Sequence, residues 1–122
     1  MKSSLDNLVE ISMLMDFYGA LLSERQQQIV TLYHEENCSL QEISEELGVS
    51  RQGVHEALKK AEKSLQGFEE KLGLVARFRS QEQVLQNALA SVDELLGRCE
   101  DPGVRQGLLR IKNDINSIEE QV

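Results

Sequence analysis

Residues 39–60 read SLQEISEELGVSRQGVHEALKK, and this stretch decides the fold. Ser39 stands three residues before Glu42, which is the spacing of a capping box at a helix start. Gly48 can end that helix in a left-handed turn because it has no side chain to clash. Ser50 then offers a second N-cap, and apolar residues recur after it at helical spacing. A capped helix, a glycine turn and a second capped helix together predict a helix-turn-helix.

The second helix of this motif has an inner and an outer face. Its predicted inner stripe consists of Val54, Ala57, Leu58 and Ala61. If the motif reads DNA, outer side chains near the helix start meet base edges in the major groove. The candidate contact residues for nucleic acid or another partner are Ser50, Arg51, Gln52, His55, Glu56, Lys59 and Lys60.

The chemistry of these residues points in two directions. Arg51 can fork onto a guanine and Gln52 onto an adenine, while the Ser50 hydroxyl and the helix N-terminus can hold a phosphate. Gly53 and Glu56 argue against DNA, because glycine weakens the first turn of the helix and a carboxylate repels phosphate. The alternative is that the polar side chains merely solvate an exposed helix.

The net charge opposes nucleic-acid binding. The chain carries 13 basic and 21 acidic residues, which gives a formal charge of −8. Such a field repels phosphate at long range and weakens non-specific binding. Between Ser50 and Lys63, however, basic residues outnumber acidic ones. The helix expected to touch a partner is therefore locally basic.

Composition predicts an all-α, cytoplasmic protein without catalytic machinery. The chain has one proline, no tryptophan and no run of alternating β-branched residues. Cys38 and Cys99 have no motif spacing, which is typical of reduced thiols in a cytoplasmic protein. The apolar stretch 11–22 is too short and too charged to insert across a bilayer. No phosphate loop, Cys-x-x-Cys or His-x-x-x-His pattern occurs, so we expect no enzyme activity, cofactor or metal site.

Two helices are predicted before the motif. The segment from about Asp6 to Tyr18 is dense in apolar residues, which predicts a first helix buried on more than one face. Ser23 and Gln26 have capping-box spacing and open a second helix that runs to about Glu36. The predicted inner face of this second helix is formed by Ile29, Val30, Leu32 and Tyr33.

The recognition helix is predicted to continue beyond the motif, over residues 51–72. The stripe begun at Val54 goes on through Ala61, Leu65, Phe68 and Leu72. Gly73 is the predicted break, since glycine readily ends a helix.

A helical hairpin is predicted after this break. Ser80 and Gln83 have capping-box spacing, which predicts a helix from there to about Gly97. Asp101 followed by Pro102 is typical of an N-cap and the first position of another helix. The short link makes the two helices antiparallel neighbours. We therefore expect a helix-turn-helix domain over residues 1–76 and a hairpin extension over residues 77–122.

The last helix carries a heptad seam made of Val104, Leu108, Ile111, Ile115, Ile118 and Val122. A hairpin with so regular a seam needs another surface to cover it. Either the first domain covers the seam or a second subunit does, giving a homodimer. We favour the homodimer, because helix-turn-helix proteins commonly bind DNA in pairs.

Residues 13–26 (MLMDFYGALLSERQ), 39–63 and 69–74 (EEKLGL) together resemble the bacterial YlxM family. The resemblance covers roughly residues 8–76 and is specific, because the DFYG and LGVSRQ segments occur in the right order and separation. Residues 22–60 also resemble, more broadly, the DNA-binding region 4 of sigma-70-type factors. The hairpin is the poorest match and carries no family inference.

The resemblance implies an all-helical cytoplasmic protein with a sigma-region-4-like helix-turn-helix. It further implies a role in the signal recognition particle pathway, since the family's genes lie beside those for the particle's GTPase and its receptor. Ser50, Arg51 and Gln52 match the family's start of the recognition helix. Gly53 departs from the alanine usual there, which leaves that helix less firm.

Three functions remain open. The first is a regulator or accessory component of the signal recognition particle pathway that contacts the particle's protein or RNA, with the GTPase or its receptor as possible partners. The acidic field suits a basic protein partner better than RNA. The second is a dimeric, sequence-specific DNA-binding transcriptional regulator. The third is an acidic interaction module whose helix-turn-helix is only a packing scaffold.

Overall fold

The computed structural model describes residues 4–120, and the all-α prediction is confirmed. The described residues contain no strand. A 3₁₀ turn follows the first helix at Gly19–Leu21, and a π-helical turn follows the second at Thr31–Glu35. The six α-helices are α1 Ser4–Tyr18, α2 Glu24–Val30, α3 Leu40–Leu47, α4 Arg51–Leu72, α5 Leu74–Arg98 and α6 Pro102–Glu120.

Contacts between residues divide the chain into two compact units, Met1–Val75 (unit 1) and Ala76–Val122 (unit 2). In unit 1, α1, α2 and α3 pack against α4. Burial of these apolar faces removes them from water, which is the main force holding the unit together. The buried core of unit 1 consists of Ile11, Leu14, Tyr18, Leu22, Ile29, Val30, Leu32, Ile43, Val54, Leu58, Ala61, Leu65 and Val75.

The predicted stripe on α4 is confirmed over most of its length but fails at its end. Ala57 and Phe68 are partly buried against the core, whereas Leu72 is 53% exposed. Gly73 turns the chain here with a φ of 62°, and the buried side chain that follows is Val75. Val75 therefore closes this end of the core in place of Leu72.

Local capping places the predicted starts of α2, α3 and α4 correctly. Ser23 with Gln26, and Ser39 with Glu42, each form a reciprocal capping box in which both predicted hydrogen bonds are present. The Ser50 hydroxyl oxygen caps α4 by accepting the backbone N–H of Gly53 at 2.9 Å. These bonds satisfy backbone donors that have no partner within the helix.

The prediction that Tyr33 lies on the inner face of the second helix is wrong. Tyr33 is 37% exposed, and the side chain of His34 is 11% exposed. The cause is the π-helical turn, which places more residues in one turn than an α-helix and so rotates the faces of the residues within it. Tyr33 packs edge-on against the His34 ring, with centroids 5.0 Å apart.

The predicted helix start at Ser80 is also wrong, because α5 is continuous from Leu74. The backbone N–H of Leu74 donates to the Tyr18 hydroxyl at 3.0 Å, and that of Val75 donates to Glu69 Oε1 at 3.0 Å. The Tyr18 hydroxyl in turn donates to Glu69 Oε1 at 2.6 Å. A side chain from α1 and one from α4 thus accept hydrogen bonds from the free backbone N–H groups in the first turn of α5, as a local cap would.

Unit 2 is a helical hairpin formed by α5 and α6. Asp101 Oδ2 accepts the backbone N–H of Val104 at 2.9 Å and caps α6, as predicted. Of the predicted seam, Ile115 is buried and Leu108 is half-buried. Three other seam residues are about half exposed: Val104, Ile111 and Ile118. Val122 lies outside the described residues.

Candidate partner-binding surface

The turn between α3 and α4 is held by backbone and side-chain bonds. Gly48 adopts the predicted left-handed conformation with a φ of 68°. The backbone N–H groups of Gly48 and Val49 donate to the Ser44 carbonyl at 3.0 and 3.2 Å. The Ser44 hydroxyl donates to the carbonyl of Val49. These bonds hold the turn and so set the direction in which α4 begins.

The start of α4 is open to solvent. Its inner residues Val54 and Leu58 are 0% and 5% exposed, so the opposite side of the helix faces outward. Every candidate contact residue predicted from the sequence falls on the outward side. The exposed residues are Ser50, Arg51, Gln52, His55, Glu56, Lys59 and Lys60. Whether a partner contacts them stays a prediction.

Two hydrogen bonds already involve side chains of this surface. Gln52 Nε2 donates to Glu56 Oε1 at 3.1 Å, one helical turn away. A side chain that reads a base must leave this pairing. Ser50 uses its hydroxyl oxygen to cap Gly53, and a Cβ atom added at Gly53 would lie 3.0 Å from that oxygen.

The charges of the two motif helices have opposite signs. On α3, the carboxylic acid side chains of Glu42, Glu45 and Glu46 are exposed. Hydrogen bonds from the backbone N–H and the hydroxyl of Ser39 hold the pKa of Glu42 below its ordinary value. On α4 the exposed charges are mostly basic. An acidic helix therefore lies beside a basic one on the same motif.

Sequence reasoning missed two residues of this surface. Lys63 is exposed and extends a row at four-residue spacing that contains Arg51, His55 and Lys59. The same spacing in the sequence is the signal that could have found it. Ser44 locks the turn, and no local motif marks it, because its partner at Val49 is defined only once the turn has formed.

The remaining chemistry-bearing groups of unit 1 lie at the edge of the core. His34 Nε2 is 3.5 Å from Glu62 Oε1 on α4, and the side chain of Glu62 is 29% exposed. Burial raises the pKa of the Cys38 thiol, and the Glu42 carboxylate raises it further. Within residues 4–120 no group of three or more His, Cys, Asp and Glu side chains is placed to hold a metal ion. Nor is any helix in that part of the chain long and apolar enough to span a membrane.

Comparison with known proteins places this arrangement in a family. Residues 5–96 match a family described as "Putative helix-turn-helix protein, YlxM / p13 like", so the match includes most of α5. A UPF0122 protein of Desulforamulus reducens is 45% identical over 112 residues, covering 92% of each chain. A UPF0122 protein of Thermoanaerobacter sp. is 40% identical and covers 93% of this chain and 97% of its own. The chain therefore belongs to the YlxM / p13-like family of helix-turn-helix proteins.

Proposed function

We propose that this chain is a regulatory or accessory component of the signal recognition particle pathway. In this proposal it binds the particle's GTPase or the receptor of the particle through the exposed face of the helix-turn-helix. The resemblance to the YlxM family supports the pathway, and the charge pattern of the motif supports a protein as the partner.

The single observation that carries the choice of a protein partner is the pairing of opposite charges on α3 and α4. A DNA-reading helix-turn-helix lays its first helix across the phosphate backbone and its second in the groove. Here Glu45 and Glu46 are exposed on that first helix, so they would face phosphate groups. A protein surface can complement both signs at once, with basic groups against α3 and acidic groups against α4.

The test is a pull-down of tagged full-length chain from cells, with and without nuclease treatment. We expect the GTPase or the receptor to be retained in both conditions. Lys59→Glu with Lys60→Glu should abolish retention, because two exposed basic charges of the motif are reversed. The matched control is Lys71→Glu with Arg110→Glu, which makes the same charge change at exposed positions away from the motif. Loss of the partner on nuclease treatment, or no enrichment of either protein, would refute the proposal.

A second candidate function is sequence-specific DNA binding by a transcriptional regulator. It is favoured by the exposed, Ser50-capped start of α4, which presents Arg51, Gln52 and His55 outward. DNA binding predicts an affinity that falls steeply with salt, by about one logarithmic unit of slope per phosphate contact. Arg51→Ala should then cost about 1–3 kcal/mol of binding free energy on the preferred sequence. Gel shifts on genomic fragments that show no complex at low salt exclude this candidate.

The third hypothesis, an acidic interaction module, is separated from both by the same experiments. In that case the motif faces no partner, so Lys59→Glu with Lys60→Glu leaves every bound protein in place. Retention of a partner outside the translocation pathway by both the wild type and the double variant would favour this hypothesis.

A further inference from the structure

The hairpin of unit 2 has one uncovered apolar face. Five large aliphatic side chains on this face are between 48% and 64% exposed. We call them the hairpin stripe: Val84 and Leu95 on α5, and Val104, Ile111 and Ile118 on α6. Ala88 is also exposed and lies between the two α5 residues at helical spacing.

The opposite face of the hairpin is closed by polar contacts. Lys112 Nζ lies 2.9 Å from Asp93 Oδ1, and Gln86 Nε2 donates to Glu119 Oε1 at 2.5 Å. The guanidinium group of Arg105 donates to backbone carbonyls at the end of α5. An α-helix rotates by about 100° per residue. By this rotation, the polar groups and the hairpin stripe lie on opposite sides of the line along which α5 and α6 contact each other. The hairpin is thus polar on one side and apolar on the other.

The area of the hairpin stripe matches what a stable dimer needs. Five aliphatic side chains that are half exposed present on the order of 500 Å² of apolar surface, which is the size of the largest apolar patch on a typical monomer, a patch that is often functional. The core of a homodimer interface is about 65% apolar, so this stripe with a polar rim corresponds to roughly 800 Å² per subunit. That is the size of a standard protein–protein interface.

The register of the hairpin makes the stripe complementary to a second copy of itself. The contacts between residues 93 and 112 and between 86 and 119 place Ile111 level with Leu95, and Ile118 level with Ala88. A two-fold axis parallel to the helices then lays α6 of each copy on α5 of the other at the same level. Ile111 meets the partner's Leu95, and the bulky Ile118 meets the small side chain of the partner's Ala88. The five stripe positions are all aliphatic, and a charged side chain, that of Asp114, lies beside Ile111 and Ile118 at three- and four-residue spacing.

We propose that the hairpin stripe is a homodimer interface in which two hairpins form a four-helix bundle. Each α6 packs against the partner's α5 in antiparallel orientation, as in bundles assembled from helical hairpins. The proposal concerns unit 2 alone, so it does not rest on the function proposed for the helix-turn-helix.

The first test measures the mass of the full-length chain by light scattering from about 1 to 100 μM, because interfaces of this size have dissociation constants from micromolar to picomolar. We expect a mass of twice 13.8 kDa. Ile111→Lys should weaken the dimer by about 100-fold or more, because it buries an unpaired charge. Leu109→Lys is the matched control: Leu109 is as exposed as Ile111 but lies about 160° away around α6. It should leave the dimer intact.

The second test distinguishes this pairing from other ways of covering the stripe. Ile111→Lys and Leu95→Glu should each give monomers with an unchanged helical circular dichroism spectrum. When the two variants are mixed, each heterodimer gains one Lys–Glu contact and keeps one native contact, so association should return. This rescue also requires both variants to be folded.

Three results would overturn the proposal. The first is a concentration-independent monomer mass for the wild-type chain, which means that the stripe is covered within one chain. The second is a dimer that Ile111→Lys and Leu109→Lys weaken equally, since that dimer uses another surface. The third is the absence of a heterodimer on mixing, which excludes the contact between α6 and the partner's α5.

Discussion

The helix-turn-helix unit and the hairpin share the same helical periodicity but bury their apolar residues to different extents. In unit 1 the stripe of α4 is enclosed by α1, α2 and α3, so Val54 and Leu65 are fully buried. In unit 2, only Val92 and Ile115 are buried among the described apolar side chains. Two helices have one contact line between them and cannot enclose a wide apolar stripe. Amphipathic spacing therefore predicts which residues form the apolar face of a helix. The number of helices packed against that face decides whether it is buried.

The largest expected effect that separates the two units is removal of core volume. Leu65→Ala deletes a fully buried side chain and should lower the free energy of unfolding by about 2–5 kcal/mol, through lost burial and the cavity left behind. Leu109→Ala, at a half-exposed hairpin position outside the stripe, should change it by less than about 0.5 kcal/mol. Urea denaturation followed by circular dichroism measures both. Equal losses for the two variants would contradict the contrast between a closed core and an open hairpin.

The next effect concerns the turn that supports the partner-binding surface. Gly48→Ala should destabilise the chain by about 1–2 kcal/mol, because the φ of 68° is unfavourable for a residue with a Cβ. Gly67→Ala is the matched control within α4, where the added Cβ meets no atom within 4 Å. This control should stabilise the chain by about 0.5–1 kcal/mol through its higher helix propensity. The same denaturation assay compares the two, and the prediction fails if both change stability in the same direction.

A smaller effect tests the contact that begins α5. Tyr18→Phe removes the acceptor of the Leu74 N–H, so exchange of the amide hydrogens of Leu74 and Val75 should accelerate by about tenfold. Amide exchange followed by NMR measures this locally. Tyr33→Phe, at an exposed ring, should leave these amides unchanged. Unchanged protection in Tyr18→Phe would show that α5 begins without this contact.

The same tyrosine gives a pH dependence with a definite sign. Burial raises the pKa of Tyr18, and the hydrogen bond to Glu69 raises it further above the ordinary value of 10.0. The unfolded chain therefore loses the proton first as pH rises. Stability from this group is complete below pH 10.0 and declines as pH rises through the raised pKa. Denaturation between pH 8 and 11 should show a steeper decline for the wild type than for Tyr18→Phe.

The smallest expected effect lies at the start of α3. The pKa of Glu42 is lowered in its capping box, so this carboxylate stabilises the folded chain above the ordinary value of 4.5. The contribution is lost as pH falls from that value through the lowered pKa. Glu42→Gln keeps an oxygen acceptor and should flatten the acid side of the stability profile. Glu46→Gln, at an exposed position on the same helix, is the control. Parallel acid profiles for Glu42→Gln and the wild type would contradict the prediction.

Much of the fold and of the candidate site could be predicted because its signals are local. Ser39 and Glu42 are three residues apart, and their hydrogen bonds form within the first turn of the helix they begin. Gly48 and Ser50 likewise act on adjacent backbone. The outward face of α4 followed from the periodicity of its apolar residues, and Arg51 is exposed as that periodicity requires.

The errors arise where the deciding partner is distant in sequence or where helix geometry changes. Ser80 has a local capping signal, but α5 already begins at Leu74, whose N–H is satisfied by Tyr18, 56 residues earlier. Tyr33 follows the α-helical pattern, but a π-helical turn rotates it outward. A spacing rule for α-helices identifies neither feature, because Tyr18 lies 56 residues from Leu74 and the π-helical turn departs from α-helical geometry.

The sequence by itself determined the helices, their caps and the polar face of the helix-turn-helix, since each depends on side chains within one or two helical turns of each other. The tertiary structure decided the start of α5, the residue that closes the end of the core, and which part of the C-terminal seam stays exposed. Those outcomes depend on which helices meet in space. Packing between distant segments is the physical step that local periodicity does not encode.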